Sequence, residues 1–267
     1  MNIVSEKRRI EIMNQLETNS KVFVTQLADQ FGVTPETIRR DLDELEQQGI
    51  LKRVHGGAVK SSSMHYEPPF TKRQNTSAYE KKQIGQKAAT TIKDGETIVL
   101  DGGTTTLELA KAIEGVKQLT VLTNSIAAAN VLNTSLFTRR FEGSVILIGG
   151  TLNAAQQSVS GSMAIDFLGQ YRVDKAYISC GGVSMDVVTD YDNEEALISK
   201  KMIEIAQNNY LLADHSKFDS HSFSVIAPLE RFHHIITDIP SIEGWHQCIE
   251  DTGIDWIVAK EAVSIES

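Results

Sequence analysis

The chain has 267 residues, 41% of them hydrophobic by type, which is room for two domains and a sizeable buried core. No stretch approaches the ~18 apolar residues of a membrane span, and the charged opening residues give no sign of a secretory leader. Cys180 and Cys248 lie far apart without C-x-x-C spacing, which excludes a disulfide framework or zinc ribbon and suits a reducing cytoplasm.

The net charge of −9 arises entirely beyond residue 60, because the first sixty residues carry nine basic and nine acidic side chains. Phosphate affinity comes from local basic surface, so a neutral head on an acidic body leaves DNA binding open while disfavouring indiscriminate binding.

Residues 5–17 place Ile10, Met13 and Leu16 three apart and predict an amphipathic helix. A second short helix, from Gln26 to Phe31, stops at Gly32. Thr34-Pro35 then reads as an N-cap followed by proline at the first helical position, opening a third helix that runs to about Gln48. Ile38, Leu42 and Leu45 share one face of it; at about 100° per residue Arg40 points away, flanked by Glu36 and Thr37, with Arg39 at the edge. The recognition helix of a helix-turn-helix must bury one face and offer the other to the major groove. An arginine near its start can fork onto guanine or hold a phosphate. Thr34, Thr37 and the first-turn N–H groups suit phosphate oxygens. The next stretch, ILKRVHGGAV, holds two β-prone runs around Gly56-Gly57 and predicts a wing, with Lys52, Arg53 and His55 near backbone or minor groove. The pattern alone also allows a structural bundle whose arginines pair with Asp41, Asp43 or Glu44.

Residues 61–74 read as a linker between a head at 1–60 and a body at 75–260, because 61–72 is Ser-rich, then Pro-Pro, without periodicity. From Tyr79 a helix leads into apolar strands at 97–100, 119–122, 145–148, 175–179, 210–213, 234–237 and 255–258. Helical patterns at 105–113, 126–132, 194–206 and 242–251 fall between most of them. This alternation predicts an α/β domain with a mainly parallel sheet covered on both faces.

The segment IVLDGGTTTLELAKAI (98–113) combines a strand, a D-G-G turn, three threonines and a helix, the ingredients of an anion site. It lacks the Walker A lysine and does not match G-x-G-x-x-G, so no nucleotide cofactor is expected. An ordinary glycine turn with a capped helix explains the same residues. Ligands bind at the carboxyl ends of strands in open α/β sheets. Asp101, Gly102, Gly103, Thr104, Thr105, Thr106, Thr123, Asn124, Gly149, Gly150, Gly181, Asp192, Glu195, Asp214 and Lys217 all follow strands or open helices. Turns favour such residues in any case, so one shared rim is the sharper of two readings. His233-His234 point to opposite sides of a strand and are expected to have a structural or surface role rather than to bind a metal. Cys180 reads as a buried small residue, Trp245 and Trp256 as packing, and the Lys81-Lys82 and Arg139-Arg140 pairs as solvated charge. No metal site is expected.

The stretch LADQFGVTPETIRRDLDELEQQGILKRVHGGAV (27–59), with its T-I-R-R-D-L core and G-x-L-x-R-x-H-G-G continuation, resembles the winged helix-turn-helix of the DeoR family of bacterial sugar-metabolism regulators. D-G-G-T-T (101–105), L-T-N-S (122–125), G-G-x-L (149–152), E-A (195–196) and L-A-D-H-S-K-F (212–218) extend the resemblance over about residues 5–259. It implies a ribose-5-phosphate isomerase-like C-terminal fold. It also implies a repressor of a carbohydrate operon, acting on operator DNA as a dimer or tetramer and controlled by a phosphorylated sugar. Thr37, Arg39 and Arg40 would meet the operator, with His55 and Gly56 in the wing. Asp101 to Thr106 would hold phosphate, and Thr123, Asn124, Asp192, Glu195, Asp214 and Lys217 would face sugar hydroxyls or phosphate. Three departures stand out: Phe23 at the usual cap of the second helix, Asp219 in place of glycine after S-K-F, and I-S-C-G-G at 178–182. An isomerase-like enzyme and a transcription activator remain the alternatives.

Overall fold

The computed structural model describes residues 3–19, 21–47, 50–54, 56–60 and 67–259 of a chain that divides into two units, Met1–Tyr66 and Glu67–Ser267. The first unit runs α1 (Ile3–Asn19), β1 (Lys21–Phe23), α2 (Val24–Phe31), α3 (Pro35–Gln47), β2 (Leu51–Val54) and β3 (Gly57–Lys60). Its core joins Ile12 and Leu16 of α1 to Leu27 of α2 and to Ile38, Leu42 and Leu45 of α3, whose buried face is the predicted one. On α1 the stripe differs from expectation: Ile12 and Leu16 are buried, whereas Ile10 is 49% exposed. A strict three-residue spacing drifts about 60° per step, so Ile10 and Leu16 cannot share one face, while residues four apart nearly can.

The expected hairpin forms and gains β1 as a third strand, in the order β1-β3-β2. Phe23 pairs with Gly57, where a Cβ would meet the Val22 carbonyl oxygen at 2.0 Å, so only glycine admits this approach. The missing cap at Phe23 is made good from the wing, because the first N–H of α2, on Val24, donates to the Gly56 carbonyl at 3.0 Å. Thr34 caps α3 as expected, its hydroxyl accepting the Thr37 N–H at 3.3 Å. Thr34→Ala is expected to cost about 1 kcal/mol, read as a lower urea midpoint for the head, with an unchanged midpoint removing the cap.

The second unit begins with α4 (Phe70–Arg73) and α5 (Ala78–Ala89), followed by β4 (Thr97–Leu100), α6 (Thr104–Ala112), β5 (Leu119–Thr123), α7 (Ile126–Phe137) and β6 (Gly143–Leu147). A hairpin of β7 (Thr151–Asn153) and β8 (Ser158–Ser160), then α8 (Ser162–Leu168), returns the chain to β9 (Val173–Ile178). Short β10 (Gly182–Val183) and β11 (Val187–Asp190) lead into α9 (Asn193–Ile205). The chain closes with β12 (Ala206–Leu212), β13 (Ser224–Pro228), β14 (His234–Thr237), α10 (His246–Thr252) and β15 (Asp255–Val258).

Seven strands form one sheet in the order β15-β14-β12-β9-β4-β5-β6, parallel throughout. Alternate residues feed two cores. Val99, Leu122, Ile178 and Leu211 pack on α8, α9 and the Trp245 region, whereas Ile98, Leu100, Val121 and Leu212 pack under α5, α6 and α7. From β4 the chain steps outward through β5 and β6, then returns to lay β9 on β4's other side. That reversal sets a crevice at the carboxyl ends of β4 and β9.

The β7–β8 hairpin, α8 and the small antiparallel sheet β10-β11-β13 lie where the sequence offered no periodic signal. The linker reading needs correction at its C-terminal end, and its residues 61–66 lie outside the described residues. Phe70 is buried in the second core, and its N–H donates to the Ala155 carbonyl at 3.0 Å. Residues 67–74 therefore belong to the second unit.

Candidate functional site

Arginines outside the reading face of the head are occupied by α3's own carboxylates. Arg8 Nε meets Asp41 Oδ2 at 2.5 Å, Arg9 pairs with Glu44, and Arg53 pairs with Asp43. Arg53 also donates to the Arg39 carbonyl at 3.1 Å, and its N–H to Glu46 Oε1 at 2.6 Å, so it braces the wing against α3. Arg39 reaches Glu36 at 3.2 Å, an exposed pair that water loosens easily. Arg40 is exposed, and among the described residues it has no hydrogen-bond or ion-pair partner. A planar five-donor guanidinium without an internal acceptor, on a groove-sized helix, is free to engage guanine or phosphate. Lys52 and Gly56 are exposed on the wing, with Gly56 turning it at φ +79°. His55 lies outside the described residues.

In the second unit the D-G-G loop stands at the reversal of strand order. Asp101 is 4% exposed and organises the crevice: it accepts the Gly102 N–H at 2.8 Å, the Ser199 hydroxyl at 2.9 Å and the Ser179 N–H at 3.3 Å. Ser179 directly follows β9, and its hydroxyl donates to the Gly102 carbonyl at 3.0 Å. A Cβ on Gly103 would meet that hydroxyl oxygen at 2.2 Å, so glycine is what lets β9 close on the loop. Burial, reinforced by the charges of Asp190 and Glu195 and opposed by the Ser199 hydrogen bond, pushes the Asp101 carboxyl up to about 8.

Gly103 precedes the first turn of α6. The hydroxyl of Thr106 turns back to the Asp101 and Gly103 carbonyls at 2.8 and 3.1 Å, so it supports the loop. The hydroxyls of Thr104 and Thr105 have no such bond among the described residues, and with the first-turn N–H groups they offer donors at the positive end of a helix dipole.

Beside this loop, Ser158 and Asn124 come within 3.3–3.5 Å of where a Gly102 side chain would stand. Asn124 donates to the Val159 carbonyl at 3.1 Å, and its Oδ1 is buried without a partner. The Ser158 hydroxyl donates to Glu195 Oε1 at 2.5 Å, and Asn153 adds a longer contact at 3.4 Å. Burial, with the charges of Asp190 and Asp192, pushes Glu195 up to about 7 against the Ser158 hydrogen bond. Carboxylate oxygens of Glu67, Asp190 and Glu195 all lie within 4.8 Å of one another. Arg73 contacts Glu67 Oε1 at 2.8 Å, and the Lys217 ammonium lies 5.9 Å from the centre of the Tyr191 ring, where its charge acts on Glu67 and Asp190.

Two family models match the chain: the DeoR-like helix-turn-helix domain at residues 8–64 and the DeoR C-terminal sensor domain at 76–239. The chain belongs to the DeoR family. An uncharacterised HTH-type transcriptional regulator of Staphylococcus epidermidis is 38% identical over 208 residues, covering 78% of this chain and 82% of that one. The HTH-type transcriptional repressor GlcR of Bacillus subtilis is 33% identical, covering 96% of this chain and 97% of its own. The glycerol-3-phosphate regulon repressor of Escherichia coli is 32% identical, covering 88% of this chain and 91% of its own. A D-ribose-5-phosphate isomerase in complex with phospho-erythronic acid matches with 16% identity, covering 52% of each chain at a TM-score of 0.38, too slight a likeness to argue from.

Within this DeoR-family sensor domain, several residues expected to face a ligand do structural work. Asp192 caps α9, accepting the Glu194 and Glu195 N–H groups at 2.8 and 3.1 Å. Asp214, 1% exposed, caps the 3₁₀ turn His215–Lys217 through Ser216. Thr123 is fully buried and accepts the Ser125 N–H at 3.0 Å. Gly181 donates to the Thr189 carbonyl at 2.8 Å and packs against Tyr191 and Ser222, whereas Gly149 and Gly150 are exposed before β7. The departure at Asp219 is absorbed by a left-handed backbone, φ +52°, with its carboxylate accepting the Trp245 indole N–H at 3.0 Å.

Lys81 corrects the solvated reading of its pair. It is 5% exposed, its ammonium donates to the Arg73 carbonyl at 2.8 Å, and burial lowers it to about 8. Arg139 and Arg140 are exposed, and Arg140 reaches Glu114 at 3.0 Å. His233 and His234 are structural: one accepts the Asn209 N–H at 3.0 Å, and the other stacks on Tyr210 at 4.2 Å. Cys180 is buried, and burial raises its thiol. Trp245 and Trp256 pack with Phe218. Sequence reading assigned no role to Ser158, Ser179, Ser199, Glu67 or Arg73. Small hydroxyls and a lone Glu-Pro-Pro carry no local signal, and Asp190 is marked only by lying in the acidic run DYDNEE (190–195) that also holds Asp192 and Glu195.

Proposed function

We propose that this DeoR-family chain represses a carbohydrate-utilisation operon, binding its operator through α3 and the wing, and that a phosphorylated sugar held in the second unit controls that binding. The observation that carries the reading is the α6 entrance: free first-turn N–H groups and two unbonded threonine hydroxyls at the reversal of strand order, beside buried acceptors suited to hydroxyls. An anion at the helix terminus and hydroxyls at Asn124 and Glu195 describe a sugar phosphate better than a nucleotide or a bare ion. Arg40, unpaired on the open face of α3, supports DNA reading. One short recognition helix reads few bases, so two or more copies are expected to act on each operator.

The chain is read as a regulator rather than an isomerase because Asp101 is bound by three donors and Glu195 by Ser158, which leaves neither poised beside a substrate carbon. The test combines a thermal-shift screen of phosphorylated sugars with operator binding by fluorescence anisotropy. A hit raises the melting temperature and changes operator affinity by about tenfold, a typical coupling. Absence of any hit, or turnover of ribose 5-phosphate by the purified protein, overturns the reading.

A further inference from the structure

Glu67 is the first described residue after 61–66, the stretch that joins this unit to the DNA-binding one. The segment it opens is fastened at several points. Phe70 is buried and bonded to Ala155, and Arg73 donates to the Pro68 carbonyl at 3.1 Å and to Gln156 Oε1 at 2.5 Å. The Arg73 carbonyl in turn accepts the Lys81 ammonium. At the head of this fastened segment the Glu67 side chain, 9% exposed, enters the group formed with Asp190 and Glu195.

The neighbouring carboxylates have donors of their own: Asp190 accepts the Tyr191 N–H at 2.6 Å, and Glu195 accepts from Ser158. Glu67 has Arg73 on Oε1, while its Oε2 is buried with no partner. A second buried acceptor, Asn124 Oδ1, also lacks a donor and stands beside Ser158 and Gly102. Buried acceptors are nearly always bonded, so two orphans flanking the Ser158–Glu195 pair mark places where donors belong. Hydroxyl groups supply donors without bringing charge. A divalent cation would instead face the Arg73 guanidinium across the same carboxylate. Burial and the like charges nearby push Glu67 up to about 8, which also favours a neutral partner.

We propose that Glu67 is a ligand-contacting residue of the sensing pocket, taking a hydroxyl of a phosphorylated polyol through its unpartnered oxygen, and that this contact carries pocket occupancy to the connection with the DNA-binding unit. The proposal rests on the sugar-phosphate reading above. Because Glu67 directly continues 61–66, a ligand that pulls on its carboxylate changes the constraint on that connection, and a ligand held by the α6 entrance alone does not.

The experiment uses the full chain with Glu67→Gln and Glu67→Ala. Ribose 5-phosphate, glucose 6-phosphate, fructose 1-phosphate, glycerol 3-phosphate, inorganic phosphate and magnesium or calcium chloride serve as separate probes. Melting temperature reports binding, and operator anisotropy with and without probe reports response. For the sugar phosphate that the parent binds, both variants are expected to lose from a few-fold to about tenfold in affinity, the worth of one hydrogen bond. Their operator response should fall to about twofold or less at saturation, while inorganic phosphate binds as in the parent. Operator affinity without probe and far-UV circular dichroism should stay at parent values, and the near-isosteric glutamine keeps the test open if alanine perturbs folding. Parent-like binding and response in Glu67→Gln overturns the proposal alone. A melting shift from magnesium or calcium alone that the variants lose also overturns it, by assigning the carboxylates to a metal. A parent that answers no sugar phosphate overturns the underlying reading and this proposal with it.

Discussion

Replacing Arg40 by alanine is expected to abolish sequence-specific operator binding while leaving the fold intact. The guanidinium is exposed on α3 and has no partner among the described residues, so its removal orphans nothing within the head. Arg8, Arg9 and Arg53 are engaged by Asp41, Glu44 and Asp43 and brace the helix instead. A bidentate guanine contact contributes about 1–3 kcal/mol, so two heads on one operator lose about 2–6 kcal/mol, at least roughly 30-fold in affinity. Titration of operator and scrambled duplex at several salt concentrations separates two roles. Loss confined to the operator means a base contact. Uniform weakening with a shallower salt dependence means a phosphate contact. Unchanged operator affinity removes Arg40 from the interface. Arg53→Ala, by contrast, should lower the melting temperature of the head before it affects base preference.

A second large effect is the pH dependence of the sensing unit. Burial raises Asp101 and Glu67 to about 8 and Glu195 to about 7. Between pH ~4, where carboxyls of an unfolded chain titrate, and these raised values, the folded chain holds protons the unfolded chain has released. Stability therefore falls as pH rises through that window. Lys81, lowered to about 8, works in the opposite direction, but only from about pH 8 upward, whereas His215, raised by its hydrogen bond to Asp238, adds to the fall between 6 and 8 alongside the carboxyls. Each such proton changes stability by about 1.4 kcal/mol per pH unit, and about 2–4 °C in melting temperature accompanies each kcal/mol at this size. A fall of at least about 5 °C is expected from pH 6 to 8. Asp101→Asn removes one titrating group and should flatten the slope and melt above the parent at pH 8. A melting temperature that is level or rising over this range, or a variant curve parallel to the parent's, contradicts the assignment. The same protons matter for function: a neutral Asp101 beside the α6 entrance does not repel a phosphate, so effector affinity is expected to weaken above pH 8.

Much of this protein is legible in the order of its residues. Ile38, Leu42 and Leu45 recur at helical spacing and are buried, and Thr34-Pro35 opens α3 with a capping bond. All seven apolar runs of the second unit are strands of one parallel sheet. These features are local: periodicity, caps and turn chemistry act over a few residues, and sequence order records them directly. Where local spacing misled, on α1, the error came from accepting a period of three for one of 3.6.

What the tertiary structure alone decided is which loops meet. The strand order β15-β14-β12-β9-β4-β5-β6 sets Ser179 against Asp101, and no property of either segment announces that pairing. It also gives Asp192 and Asp214 to helix caps, buries Lys81 beneath Arg73, and draws Glu67 to Asp190 and Glu195. Such contacts join residues separated by tens of positions, as with Arg73 and Gln156, 83 apart. They exist only once burial has removed water and left each polar group to find a partner inside the fold. The residue types of the proposed pocket are thus written along the chain, whereas the division between groups that hold the loops and groups without an internal partner arises only when the sheet closes.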